Sequence, residues 1–117
     1  MKREKILSGI MTLLVLRRLV DKPAHGYGLQ NSLSEVLGRP IPPGTIYVIL
    51  STLRSRGLIA IKRKATVNGR NVVEYDITDR GTQFLLEHEE PLRTVRKVID
   101  ELVDSINHLK KESATHH

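Results

Sequence analysis

Residues 40–78 read PIPPGTIYVILSTLRSRGLIAIKRKATVNGRNVVEYDIT, and the reading of this stretch decides the fold. Pro43-Gly44 punctuates a turn. Thr45 is placed to cap a helix by accepting a hydrogen bond from a first-turn N–H, and Ile46, Ile49, Leu50 and Leu53 then recur at helical spacing. One face of that helix is therefore core. The other carries Tyr47, Val48, Ser51, Arg54 and Ser55, side chains that can reach a base edge or a phosphate. Gly57 ends the helix as a left-handed residue. Two strand-like runs follow, 58–62 and 72–77, joined across Asn68-Gly69, the dipeptide preferred in type I′ hairpin turns.

In the second strand Val73, Tyr75 and Ile77 alternate with Val72, Glu74 and Asp76, so one face is core. The tip is expected to carry Lys62, Arg63, Lys64, Asn68 and Arg70, a poor set for packing and a good one for a phosphate backbone. An ordinary edge hairpin kept soluble by lysine is the bland alternative, and it stays open. A short helix followed directly by a basic hairpin is how winged-helix proteins hold DNA. The pattern predicts an α+β fold, mainly α with a small β-hairpin.

Length and composition bound the rest. A chain of 117 residues is expected to form one core and is too short for a separate catalytic module. With no cysteine, disulfide frameworks, thiol catalysis and the common zinc-finger arrangements all fall away. No Ser/His/Asp, metal-ligand or phosphate-loop spacing stands out, so neither an enzyme nor a cofactor is expected. Residues 6–20 are apolar-rich but interrupted by Arg17-Arg18 and too short to span a bilayer; a soluble cytoplasmic protein away from membranes is the expectation. The net charge of +6 is unevenly spread: residues 1–70 hold 13 Lys/Arg against 3 Asp/Glu, whereas residues 71–117 hold 6 against 10. A cationic first part with an acidic-leaning end fits a nucleic-acid-binding head joined to a segment that does not touch nucleic acid.

The flanks complete the architecture. Residues 4–20 form a helix that is apolar nearly all round, with Ile6, Ile10, Leu13 and Leu14 on one side and Leu7, Met11 and Val15 towards another, so more than one face must be covered. A partner subunit is the expected second cover. A second helix opens at His25-Gly-Tyr-Gly28 with Leu29, Leu33, Val36 and Leu37 facing the core, and ends near Gly38. Thr78-Asp79 opens a further helix that Pro91 interrupts or kinks. Beyond it Leu92, Val95, Ile99, Leu102, Ile106 and Leu109 are spaced 3, 4, 3, 4 and 3 apart, an a/d seam widened by Val98 and Val103. A dimerisation helix is expected there. The domain expectation is a DNA-binding unit at 1–78, a helical dimerisation segment at 79–112 and a disordered tail at 113–117. His116-His117 is a tag remnant or a natural end.

Four segments together resemble the PadR-like transcriptional regulators: Pro23-Ala-His-Gly-Tyr-Gly-Leu29, Pro43-Gly-Thr-Ile-Tyr-Val-Ile-Leu50, the stretch from Leu53 to Ile59 ending Arg-Gly-Leu-Ile, and Tyr75-Asp-Ile-Thr-Asp-Arg-Gly81. The resemblance covers residues 6–86. It implies a dimeric winged helix-turn-helix repressor in which the helix containing Tyr47 enters the major groove, the wing follows the backbone and a C-terminal helix dimerises. Family members often respond to small aromatic or hydrophobic compounds at or near the dimer interface, so a small-molecule effector joins the expected partners, double-stranded DNA and a second copy of the chain. Two departures are visible. Val48 stands where the family commonly has proline, and the chain has no Trp and one Phe with which to build an aromatic effector pocket.

The expected site follows from these readings. Thr45, Tyr47, Ser51 and Arg54 would make groove contacts, with Arg54 best suited to a bidentate guanine contact. Lys62, Arg63, Lys64, Asn68 and Arg70 would meet phosphates. The start of the second helix, His25 and Tyr27, would receive a phosphate at its positive end, unless His25 is only a turn residue. Ile6, Ile10, Leu92, Val95, Ile99, Leu102, Val103 and Ile106 would form the dimer interface. A winged helix used purely for protein interaction is the remaining alternative.

Overall fold

The computed structural model describes residues 3–115, with side-chain burial from residue 9 to residue 114. The elements run α1 (Arg3–Asp21), β1 (Ala24–His25), α2 (Gly26–Leu37), α3 (Pro43–Ser55), β2 (Ile59–Val67), β3 (Arg70–Ile77), α4 (Asp79–Leu86) and α5 (Glu89–Thr115). The chain divides into two compact units, one ending at Leu85 and the other beginning at Leu86.

Helix α3 starts two residues before the cap expected from the sequence. Pro42 is the N-cap and Pro43 the first helical residue, and the Thr45 N–H donates to the Pro42 carbonyl at 3.0 Å. Thr45 is thus inside the first turn and caps nothing. Proline wins this position because its φ is already helical and its missing N–H would have had no intrahelical partner there. Both α2 and α3 end in left-handed glycines, Gly38 at φ 71° and Gly57 at φ 75°. After each, paired backbone bonds close the last turn: Gly38 to Glu35 with Arg39 to Ser34, and Gly57 to Arg54 with Leu58 to Leu53. Between the helices the Ile41 N–H donates to Ser34 Oγ and Gln30 Nε2 donates to the Ile41 carbonyl, both at 3.2 Å. The turn is therefore pinned to α2, and α3 leaves it in a fixed direction.

Among the described residues thirteen buried apolar side chains form one core, to which α1 gives Met11, Val15, Leu16 and Leu19, α2 gives Leu29 and Leu33, and α3 gives Ile46, Ile49, Leu50 and Leu53. Ile10 and Leu13 are only half-buried, and the side chain of Ile6 lies outside the described residues. Val36 is a correction: it stands 51% exposed on the flank of the α2 stripe. The sheet is also larger than a hairpin. It has three antiparallel strands in the order β1-β3-β2, with Ala24 opposite Tyr75 and His25 opposite Glu74. A two-residue strand has no periodicity to read, so the sequence predicts only β2 and β3.

The first unit extends past residue 78 because α4 is built into it. Thr78 Oγ1 accepts the Gly81 N–H at 3.0 Å, as an N-cap should, and donates to the Gly57 carbonyl at 2.8 Å. Gly81 is buried so closely against the Leu58 carbonyl that no side chain fits, and Phe84 and Leu85 pack on the core.

In the second unit the break before α5 falls ahead of Pro91. The Leu92 N–H donates to the His88 carbonyl at 3.0 Å, so Pro91 sits in the first turn, where its missing N–H costs nothing. Pro91 itself is not a kink. Of the 113–117 segment expected to be disordered, residues 113–115 continue the helix, and His116-His117 lie outside the described residues.

Candidate nucleic-acid interface

Because α3 buries Ile46, Ile49, Leu50 and Leu53, its opposite side is solvent-facing, and Tyr47, Ser51 and Arg54 occupy the flank of that side next to the sheet. Together with Leu50, Ser55 and Tyr75 of β3 they line an open groove of about 390 Å³. Thr45 is not part of it. Nine residues before Arg54, or two and a half helical turns, it projects from the opposite flank and is half-buried. Tyr47 is 52% exposed, yet its ring is seated: a Cβ on Gly26 would lie 2.8 Å from its Cε1 and 3.1 Å from its Cζ. The first residue of α2 must be glycine for the ring to lie where it does.

A bulge decides what the hairpin presents. Ile61 pairs with Tyr75 but Arg63 pairs with Glu74, leaving Lys62 as the extra residue. Cross-strand partners share a face, so beyond the bulge Lys64 and Thr66 join Val73 and Asn71 on the Tyr75 side, while Arg63 passes to the other side. There Arg63 Nη2 meets Glu74 Oε1 at 3.1 Å, and its charge is shared with that carboxylate. Lys62, Arg63 and Lys64 consequently sit along the body of β2 rather than at the hairpin tip. The tip is Asn68-Gly69, at φ 52° and 76° as a type I′ turn requires, with Arg70 beside it.

The start of α2 adjoins the same surface. His25, Tyr27, Tyr47, Arg70, Asn71 and Tyr75 are among the residues around a second groove of about 310 Å³. His25 is both the N-cap residue of α2 and a strand residue, and its Nδ1–H donates to the Val73 carbonyl at 3.2 Å. His25 therefore fills the turn role open to it from the sequence. Its side chain does not cap α2, whose first turn contains no acidic residue. Among the described residues, none of those lining these two grooves is a carboxylate.

Residues 15–87 match the profile of the transcriptional regulator PadR-like family. The chain belongs to that family. PadR-like proteins are transcriptional regulators rather than enzymes, and solved structures agree with the assignment. A Thermoplasma acidophilum protein assigned as a transcriptional regulator is 40% identical, with a TM-score of 0.78 over 89% of this chain and 98% of that one. Bacillus subtilis PadR, solved in complex with operator DNA, is 25% identical, with a TM-score of 0.59 over 67% of this chain and 46% of that one. An uncharacterized 37.1 kDa protein from a Streptomyces fradiae transposon is 36% identical over 47 residues, and this chain spans 14% of its length.

Within this PadR-like regulator the structure adds Tyr75 and Asn71 to the surface predicted from the sequence. Tyr75 reads as a core residue by its alternation in β3; it is half-buried and lines both grooves, since an amphipathic ring at the margin of a sheet serves core and surface together. Asn71 comes to the Tyr75 side by simple alternation. The tyrosine count is the signal in the sequence, because all three tyrosines of the chain border the second groove.

The PadR-like regulator's α5 carries the predicted seam on exposed positions. Leu92, Val95, Ile99, Leu102, Val103 and Ile106 range from 39% to 57% exposed, along a helix of 27 residues, about 40 Å long. Among the described residues no helix is long and apolar enough to cross a membrane, and no group of His, Asp and Glu side chains could hold a metal ion.

Proposed function

We propose that this PadR-like regulator is a cytoplasmic repressor that binds double-stranded DNA as a homodimer. Helix α3 enters the major groove and the β2–β3 wing lies along the backbone. The observation that carries this reading is one continuous surface in which the exposed flank of α3, the start of α2 and a basic wing adjoin, with grooves free of carboxylates. Arg54, with Tyr47 and Ser51 beside it, is suited to base edges; Lys62, Lys64 and Arg70 are suited to phosphates, with His25 and Tyr27 at the amide end of α2. Arg63 contributes less than the others because Glu74 holds it. The Bacillus subtilis relative solved on operator DNA supports the same partner.

The exposed seam on α5 supports pairing through a second copy of the helix, since an apolar stripe of that length is rarely left in water. A two-fold dimer would place half-sites roughly 34 Å apart, one helical turn, on a near-palindromic operator. Relief by a small hydrophobic effector belongs to the same reading.

Binding-site selection on the purified protein tests it. A palindrome with a fixed half-site spacing is the expected result, and no enriched sequence would favour a protein-interaction role. Replacing Lys62, Lys64 and Arg70 with alanine should weaken binding to all sequences alike and flatten the log K against log salt slope by about 0.9 for each phosphate no longer neutralised. Arg54→Ala should instead cost roughly 1–3 kcal/mol on the selected site and relax preference at one position.

A further inference from the structure

Val48 is 66% exposed, the most exposed large apolar side chain on α3. At 100° per residue it stands in the middle of the helix's outward side, with Gly44 one turn before it and Ser51 and Ser55 after it. Those neighbours are small. A surface can approach α3 closely along this ridge, because the longer Tyr47 and Arg54 side chains leave from the flank beside the sheet. Single exposed apolar residues are common, and exposure by itself would mean little. Two further observations give it direction.

The other exposed apolar side chain on α3, Tyr47, is already engaged against Gly26 at the start of α2. Val48 is thus the apolar group at the centre of the α3 side that would face a groove, while Tyr47 stays on the flank. Moreover, Ser55 Oγ donates back to the Thr52 carbonyl at 2.9 Å, which turns that hydroxyl's proton towards its own helix. The ridge therefore presents a branched hydrocarbon where a solvated helix surface would ordinarily carry a charge, and a β-branched residue is not the choice that helix propensity favours. In the major groove the one apolar feature among the four bases is the C5-methyl of thymine.

We infer that Val48 packs on that methyl group and so makes thymine the required base at one position of each operator half-site. This rests on the DNA-binding reading above and names the base that the centre of α3 reads; Arg54 and Ser51 read neighbouring positions by hydrogen bonding.

The test uses the full-length protein and its selected operator, with each thymine replaced in turn by deoxyuridine, which lacks only the methyl. Burial of one methyl-sized group predicts about a fourfold loss of affinity for substitution in one half-site and about fifteenfold for both, at a single symmetry-related position. Val48→Ala should weaken the thymine operator by a similar factor and erase the thymine–deoxyuridine difference there, while Val48→Ile keeps it. A selected operator whose affinity is indifferent to every thymine methyl, or a Val48→Ala protein that retains the full difference, overturns the inference and leaves the DNA-binding reading standing. Selection of no DNA sequence at all overturns both.

Discussion

Gly26→Ala separates recognition from stability. The new Cβ would lie 2.8, 3.1 and 3.2 Å from Cε1, Cζ and Oη of Tyr47, whereas non-bonded heavy atoms are most comfortable at about 3.5–4.0 Å. The ring must therefore withdraw by roughly 1 Å. If it does so by twisting about 30° off its rotamer, the strain is of order 0.5–1.5 kcal/mol. Against this, Gly26 does not have a left-handed φ, so alanine fits the backbone and gains about 0.4–1 kcal/mol by restricting the unfolded chain. The two terms nearly cancel, and urea unfolding should show a net change within about 1 kcal/mol. Tyr47 is nonetheless displaced on the surface proposed to meet DNA. Operator affinity should fall by roughly 1 kcal/mol or more, the scale of one mismatched base pair. A double-mutant cycle isolates the cause: in a Tyr47→Ala background, Gly26→Ala should have no further effect on binding. If it weakens binding equally in both backgrounds, the seat on Gly26 is not what positions the recognition surface.

Two further substitutions test the frame around that surface. Gly81→Ala would drive a Cβ into the Leu58 backbone carbonyl and to 2.8 Å from Ile77 Cγ1; since a backbone atom cannot swing aside, α4 must lift Phe84 and Leu85 off the core, and denaturant unfolding should report a loss of about 3 kcal/mol. A loss below about 0.5 kcal/mol would mean that α4 is not held as described. Leu102→Asp places a charge in the middle of the α5 seam and should give monomers in sedimentation with the first unit still folded; a surviving dimer would mean that the seam is not the dimer interface.

Much of the fold is legible in the sequence because it depends on local chemistry. Gly38 and Gly57 adopt the left-handed conformation that ends a helix, and Asn68-Gly69 the positive φ values of a type I′ turn, because few residues other than glycine and asparagine do so without strain. Thr78 caps α4 for an equally local reason. Thr45 reads as a cap and is not one because two competing local signals lie three residues apart, and the prolines prevail.

Periodicity, turn chemistry and short motifs suffice for the helices and the two long strands, for the helix-turn-helix followed by a basic hairpin, for the apolar seam after Pro91 and for the family, because in each of these cause and effect lie within a few residues. Which side chains share a surface is settled only once the chain is folded. The bulge at Lys62 reverses the alternation of β2, sending Lys64 to the Tyr75 side of the sheet and Arg63 to Glu74, and the third strand brings His25 and Tyr27 beside Arg70. Only the packing of α2 against α3 shows that Gly26 exists to make room for Tyr47. These are relations between residues far apart in the chain, from 11 positions for Arg63 and Glu74 upward. The Asn68-Gly69 turn sets the hairpin register at its tip, but one extra residue exchanges the faces of the strand beyond it, and nothing local in the sequence marks Lys62 as that residue.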